Sequence, residues 1–305
     1  MAFDVEETLS SHYTDAFEAN LSSVPQQIGS RLVSVVDSNL NFTKTGDMFN
    51  ADDLMESGGP KPIEDRFGKS PEGARGKIRR VGFFEAYDDG EWVDDIDSAK
   101  SLSDPTNETM QSMQWGHERY HDDKIIAAMD APAREGRTGE TTVAFPAAQI
   151  IAVNDWSYKR KGDASTGNAP LTFAKLNHTK KKLGQSQIPG RRTFVTNEEG
   201  VAQLLTDPTI TDRESSSVQM LMSGELSTFM GFDWVISERL PFESGTVRKN
   251  FGFVRPAIQY RARKLTMATI VRRADRKFNW YAYYKGMSGA LRRYDRAVVK
   301  VLVQE

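Results

Sequence analysis

The chain has no cysteine and four histidines among its 305 residues. The first absence excludes disulfides, thiol catalysis and cysteine-ligated zinc, and nothing here requires an oxidising compartment. The second limits imidazole chemistry to His12, His117, His121 and His178. Long apolar runs are missing as well. The longest, VAFPAAQIIAV at 143–153, contains Pro146 and Gln149 and falls short of the ~18 residues of a membrane helix, so no membrane partner is expected. The acidic start, MAFDVEETL, lacks the basic and apolar regions of a signal peptide, and a soluble protein made in the cytoplasm is expected. No GxSxG or GxxxxGK[ST] occurs, and the glycines near 162–167 lack the flanking strand and helix of a dinucleotide site.

One segment does look catalytic. His117–His121 reads HERYH, the HExxH pattern in which two histidines on one helix face hold zinc and the glutamate acts as general base. A zinc metalloprotease is therefore the strongest enzymatic alternative. Its context counts against it: Lys124 and Ala127 stand where a metzincin needs glycine and a third histidine. Neither His12 nor His178 lies at a motif distance, and Arg119, Asp122, Asp123 and Lys124 make the helix charged on all sides. The acidic run DDGEWVDDID at 88–97 fails as an EF-hand, because centring it on Gly90 puts Tyr87 and Ile96 at ligand positions. It reads as a solvated acidic turn. No catalytic, cofactor-binding or metal-binding residue is assigned, and no cofactor is expected.

The net charge of −2 conceals a segregation along the chain. From Arg248 to Lys300 there are 15 Lys and Arg against two acids, Asp275 and Asp295. Interleaved with Trp280, Tyr281, Tyr283 and Tyr284, this segment could track phosphates and stack bases, a nucleic-acid-binding alternative. It could equally be a sheet with basic solvent faces, or a basic surface that docks on acidic surface of another copy.

Periodicity supplies an α+β order. Tyr13, Phe17, Leu21, Val24, Ile28, Leu32 and Val35 recur at helical spacing, in two pieces split at Pro25. Residues 41–80 carry six glycines and three prolines and read as an extended arm. A strand is expected over Lys77–Tyr87, then a long helix capped by Asp104 with Pro105 first, ending near Met129. Beyond it come a strand over Thr142–Val153 and a helix capped by Thr172 with Phe173, Leu176 and Leu183 on one face. Arg192–Thr196 reads as a strand, and Thr196 with Glu199 as a capping box for a helix ending near Leu204 and Leu205. In GELSTFMGFDWVISERLP (224–241), Phe232, Trp234 and Ile236 alternate with Asp233 and Ser237, and Gly231 marks a bend or bulge. The last strands are expected at 266–271, 277–284 and 297–303.

The order of strand, capped helix, polar loop and glycine-broken strand resembles tailed-phage major capsid proteins of the Hong Kong 97-type fold. The residues that carry it are RRTFVTNEEGVAQLLTDP at 191–208, GELSTFMGFDWVISERLP at 224–241 and GALRRYDRAVVKVLVQE at 289–305. Weaker similarity runs through 12–32 and 138–151. The resemblance implies an N-terminal arm (1–40), an extended loop (41–80), a peripheral domain with a spine helix (81–139), a mainly axial domain (140–290) and a C-terminal strand returning to the core (291–305). It implies a major capsid protein, not an enzyme, that self-assembles as hexamers and pentamers into an icosahedral virion shell around double-stranded DNA. Assembly in the host cytoplasm would involve a portal, a separate scaffolding protein where scaffolding is needed, and in some shells a decoration protein. An encapsulin-like compartment shell is the nearest alternative with the same fold.

Overall fold

The computed structural model describes residues 27–51, 54–55, 62, 77–93, 105–158, 166–206, 220, 228–263 and 269–305. The chain divides into two compact units. The larger takes Gly29–Ala86, Glu118–Leu265 and Gly286–Glu305, and the smaller takes Met1–Ile28, Tyr87–His117 and Thr266–Lys285.

The larger unit is built on a seven-stranded sheet. Its strands lie in the order Thr228–Phe229, Phe232–Ile236, Arg192–Thr196, Val247–Val254, Val298–Gln304 and Ile150–Ile151, with Phe242–Ser244 paired onto Val247–Val254. Val247–Val254 and Val298–Gln304 form its centre, antiparallel from Val247 opposite Gln304 to Phe253 opposite Val298. Both faces of this pair are covered, which is why its sequence is nearly continuous in valine and phenylalanine. Phe251, Phe253, Val298, Val299, Val301 and Val303 are all buried.

The helix α1 spans Pro105–Asp130, α2 spans Phe173–Gln185 and α3 spans Glu198–Thr206. Helix α2 starts at Thr172, whose side chain accepts the Lys175 N–H, and buries Phe173, Leu176 and Leu183. It lies on the face toward which Gly252 points. A β-carbon on Gly252 would come within 2.5 Å of Thr179 Cγ2, so the missing side chain sets how closely helix and sheet approach. Alternation sends Lys249, Phe251 and Phe253 to the opposite face. There the last turns of α1 place Ile125, Ile126 and Met129 in the core.

Charged groups fix the end of α1. Asp130 accepts from Lys249 at 2.7 Å and Lys300 at 2.9 Å. Burial alone would raise its pKa, but these two partners outweigh it and hold the carboxyl below its ordinary value. The helix has no basic residue in its last turn, and its terminal carbonyls are instead met by Arg292, fully buried in the strand Trp280–Arg292. Its Nη1 donates to Met129 O at 3.0 Å and Ala131 O at 2.7 Å, while Nε donates to Asp295 at 2.7 Å. Asp295 also receives Arg80 at 2.5 Å. Arg80 lies in a four-stranded antiparallel sheet of Met48–Asn50, Arg80–Phe83, Ala133–Glu135 and Thr141–Val143. In addition Leu54–Met55 pairs antiparallel with Lys77–Ile78.

Three strands of the smaller unit belong to a five-stranded sheet whose other members are Asp37–Asn39, parallel to Ile258–Arg263, and Ile258–Arg263, antiparallel to residues 287–292. Residues 280–283 pair antiparallel with Thr269–Arg272. The strand Glu85–Val93 also pairs with Trp280–Arg292, and the contacts Tyr87–Tyr284, Asp88–Tyr283 and Trp92–Tyr281 set it against the same residues. A strand has two hydrogen-bonding edges, so 87–93 and 269–272 flank 280–284 on opposite sides.

Several expectations need correction. Residues 27–36 form bends and turns, not a second helical piece. Asp122 supplies the reason, since its carboxylate binds the Ser30 hydroxyl at 2.5 Å and the N–H groups of Arg31 and Leu32 at 3.0 Å each. Side-chain acceptance replaces the helical ladder there. The first piece, before Pro25, and the cap Asp104 lie outside the described residues. The strand expected over 142–153 is cut at Pro146 into Thr141–Val143, a 3₁₀ turn and Ile150–Ile151. The described part of the acidic run, 88–93, is strand and not a turn; 94–97 lie outside the described residues. Thr196 stays in the sheet opposite Ile236, so the cap of α3 is Asn197, whose Oδ1 accepts the Gly200 N–H at 3.0 Å. Gly231 does more than bend a strand. With Met230 at φ 54° and Gly231 at φ 80°, a two-residue turn of the I′ kind reverses the chain, and Phe229 pairs with Phe232.

Replacing Arg292 with leucine is predicted to destabilise the unassembled subunit by about 3–5 kcal/mol, because Asp295 and the helix carbonyls lose their buried donor. Lysine should rescue a fraction of this, lacking the planar fork. Equilibrium urea unfolding measures both, and a loss near zero would show that the anchor is dispensable.

Candidate functional site

The HERYH residues sit in α1, and each histidine can be placed. In the smaller unit, His117 Nε2 hydrogen-bonds the Tyr87 hydroxyl and Nδ1 meets the Tyr284 hydroxyl at 3.3 Å. Its ring stands edge-on to Tyr284, centroids 4.2 Å apart. Both ring nitrogens therefore already face a tyrosine, and neither points to an open coordination position.

In the larger unit, His121 is 8% exposed. The Tyr260 hydroxyl hydrogen-bonds its Nδ1, and the two rings meet edge to face at 5.3 Å. Burial pushes its pKa down to about 4, with the adjacent Asp122 opposing the fall. The imidazole is thus held neutral. That suits a metal ligand and a packed core residue equally. Among the described residues no three His, Cys, Asp or Glu side chains gather as a metal ion requires.

The other histidines add no site. His12 lies outside the described residues. His178, on α2, bonds Asp155 at 2.7 Å and packs on Tyr158; burial lowers its pKa against the pull of Asp155. Lys175, also on α2, is fully buried, its ammonium donating to Ala169 O at 2.6 Å and Leu302 O at 2.9 Å. Burial lowers its pKa to about 7 despite Asp155. Its two carbonyl acceptors tie the loop before α2 to the C-terminal strand.

Sequence reasoning missed the roles of Asp122, Tyr260 and Lys175. A signal for the first existed. Asp122 stands three, four and seven residues before Ile125, Ile126 and Met129, so helical spacing puts it on their buried face. Asp122 is indeed fully buried, contrary to the reading of a helix charged all round. The basic C-terminal segment is in part neutralised by its own chain. Several of its cations pair with acids of the same chain: Arg248 with Glu305 at 2.5 Å, Lys249 with Glu243 at 2.9 Å and Arg261 with Asp37 at 3.0 Å. Much of the segregated charge meets its counterpart within the fold.

The fold itself has relatives. A family model described as phage capsid protein matches residues 9–305. No curated protein matches the sequence. Among solved structures, a chain from the cyanophage Pam1 capsid asymmetric unit superposes with a TM-score of 0.69 at 13% identity, covering 97% of each chain. A chain from the capsid of a native GTA particle gives 0.68 at 12% identity, over 100% of both chains. One from Mycobacterium phage Che8 gives 0.62 at 14% identity, covering 95% of this chain and 97% of that one.

For His121 the sign of pH dependence follows from its depressed pKa. Stability is full above the ordinary value of 6.5 and is lost as pH falls toward about 4, by on the order of 3 kcal/mol. His178 contributes in the same sense. Urea unfolding between these limits should show the loss, and His121→Gln should shrink it. An unchanged pH slope in the variant would refute the assignment.

Proposed function

The chain belongs to the phage capsid protein family and is a major capsid protein of the virion shell, and from that premise we propose how one subunit divides its work. Its role is structural, not enzymatic. Following the Hong Kong 97-type plan, residues 1–40 serve as an N-terminal arm and 41–80 as an extended loop. The peripheral domain comprises 81–139, with α1 as its spine, together with a C-terminal share around 266–285. The axial domain takes most of 140–290, and 291–305 return to the core. Copies assemble as hexamers and pentamers around double-stranded DNA, with a portal, a scaffolding protein where needed, and in some shells a decoration protein.

The observation that carries this reading is the match over residues 9–305 together with superposition along nearly the full length of capsid chains. Local geometry supports it. The pairing of Leu54–Met55 with Lys77–Ile78 is what the base of a long hairpin arm requires. The ends of the segment belong to the larger unit, where Met48–Asn50 pairs with Arg80–Phe83 and Phe49 is buried, and a deletion confined to 58–71 spares those contacts.

Deleting residues 58–71 should therefore leave a soluble, folded subunit that forms no stable shell. Circular dichroism and thermal melting check the subunit, and electron microscopy checks the particles. Normal particles from the deletion would remove the arm from the account.

A further inference from the structure

The sheet of the smaller unit has two edges of opposite charge. On one side, the strand segment 87–93 exposes Asp88, Asp89, Glu91 and Trp92, the last 43% exposed. On the other, Thr269–Arg272 and the turn that follows expose Arg272, Arg273, Arg276 and Lys277, with Arg276 reaching to 5.9 Å from the Trp92 ring of its own chain. Among the described residues, neither outer strand has a second strand partner.

The basic turn is rigidly closed. Phe278 N donates to Arg273 O at 3.0 Å, Arg273 N to Asn279 O at 3.1 Å and Asn279 N to Arg276 O at 3.1 Å. Arg273 grips Asp275 through two bonds of 3.0 Å each. Lys277 and Phe278 are held at φ 54° and 60°, a conformation that costs free energy for residues with side chains. It leaves Phe278 61% exposed and Val271 50% exposed. An exposed aromatic on a fixed, cationic turn is the composition of an interface anchor.

We propose that these edges are complementary halves of one contact between copies of this chain: the acidic edge, with Trp92, of one copy receives the basic turn, with Phe278, of the next. The choice of partner rests on charge. Each copy carries both signs on opposite edges of one sheet, so every copy presents what the next requires. A twofold contact of like edges would set acid against acid or base against base. The contact is therefore head to tail, and its repetition closes a ring when the rotation permits. This assignment rests on the shell-building role proposed above.

Charge reversal tests it. Asp88→Lys, Asp89→Lys and Glu91→Lys form one variant; Arg272→Glu, Arg276→Glu and Lys277→Glu form a second; a third carries all six changes. Purified proteins are compared by light scattering and electron microscopy, with circular dichroism verifying the fold. Each single-edge variant should lower particle yield about a hundredfold, because like charges then face each other across the contact, and the combined variant should recover it. Asp88→Asn, Asp89→Asn and Glu91→Gln, a milder set that keeps the strand, should weaken assembly and flatten its salt dependence. Assembly at the unmodified level by both single-edge variants would overturn the proposal, leaving the charges as protection of sheet edges. So would a combined variant that folds but stays unassembled, or a basic-edge variant that loses DNA binding while assembling normally. The unmodified protein separates the two claims: if it forms no particles, the shell-building reading fails, whereas particles that tolerate reversal refute the edge contact alone.

Discussion

A carboxylate between two sheet lysines sets the frame of the larger unit. Asp130 ends α1 and binds Lys249 and Lys300, which lie on adjacent central strands and point to the same face. Buried charge is tolerated when paired, and breaking one partner leaves the others uncompensated. The same helix end gives its last carbonyls to Arg292, and through Asp295 that arginine is tied to Arg80 in the small sheet. These polar contacts thus join the helix to three sheets, through Lys249 and Lys300, Arg292, and Arg80. They also consume cations that the sequence makes conspicuous, since Lys249, Arg292 and Lys300 all belong to the basic C-terminal stretch.

That pairing changes what the charge segregation means. A chain with acids in its first part and bases in its last could bind polyanions, dock on other copies or fold back on itself. The fold-back is visible in Arg248 with Glu305, Lys249 with Glu243 and Arg261 with Asp37. Cations engaged in this way are poorly placed to neutralise phosphates along a strand. Among the described residues, exposed cations of this stretch cluster on Arg272 and the turn after it, with Arg255, Lys285 and Arg296 exposed elsewhere.

The sequence was most legible where local chemistry decides the outcome. Thr172 as a cap, Pro105 at the start of α1 and the apolar strand Arg192–Thr196 follow from side-chain hydrogen bonding, a fixed φ and alternation, and the structure has all three. Legibility failed where a distant partner intervened. Asp122 draws the backbone of residues 30–32 away from helix, and nothing within that segment announces it. The capping box was misplaced by one residue because sheet pairing holds Thr196, leaving Asn197 to cap. The HERYH match was legible as a pattern, yet its meaning depended on Tyr87, Tyr260 and Tyr284, which lie ~30 to 170 residues away along the chain. A short motif states residue types and spacing; whether its nitrogens are free is a tertiary fact.

The account makes the subunit complete in itself and its function a property of many copies. Cryo-electron microscopy of particles formed by the purified, nucleic-acid-free protein addresses this most directly. The account predicts closed shells of hexamers and pentamers in which each subunit keeps its own Asp130–Lys249–Lys300 node. A protein that stays monomeric under every ionic condition, or that gathers only as a coat along added DNA, would contradict it.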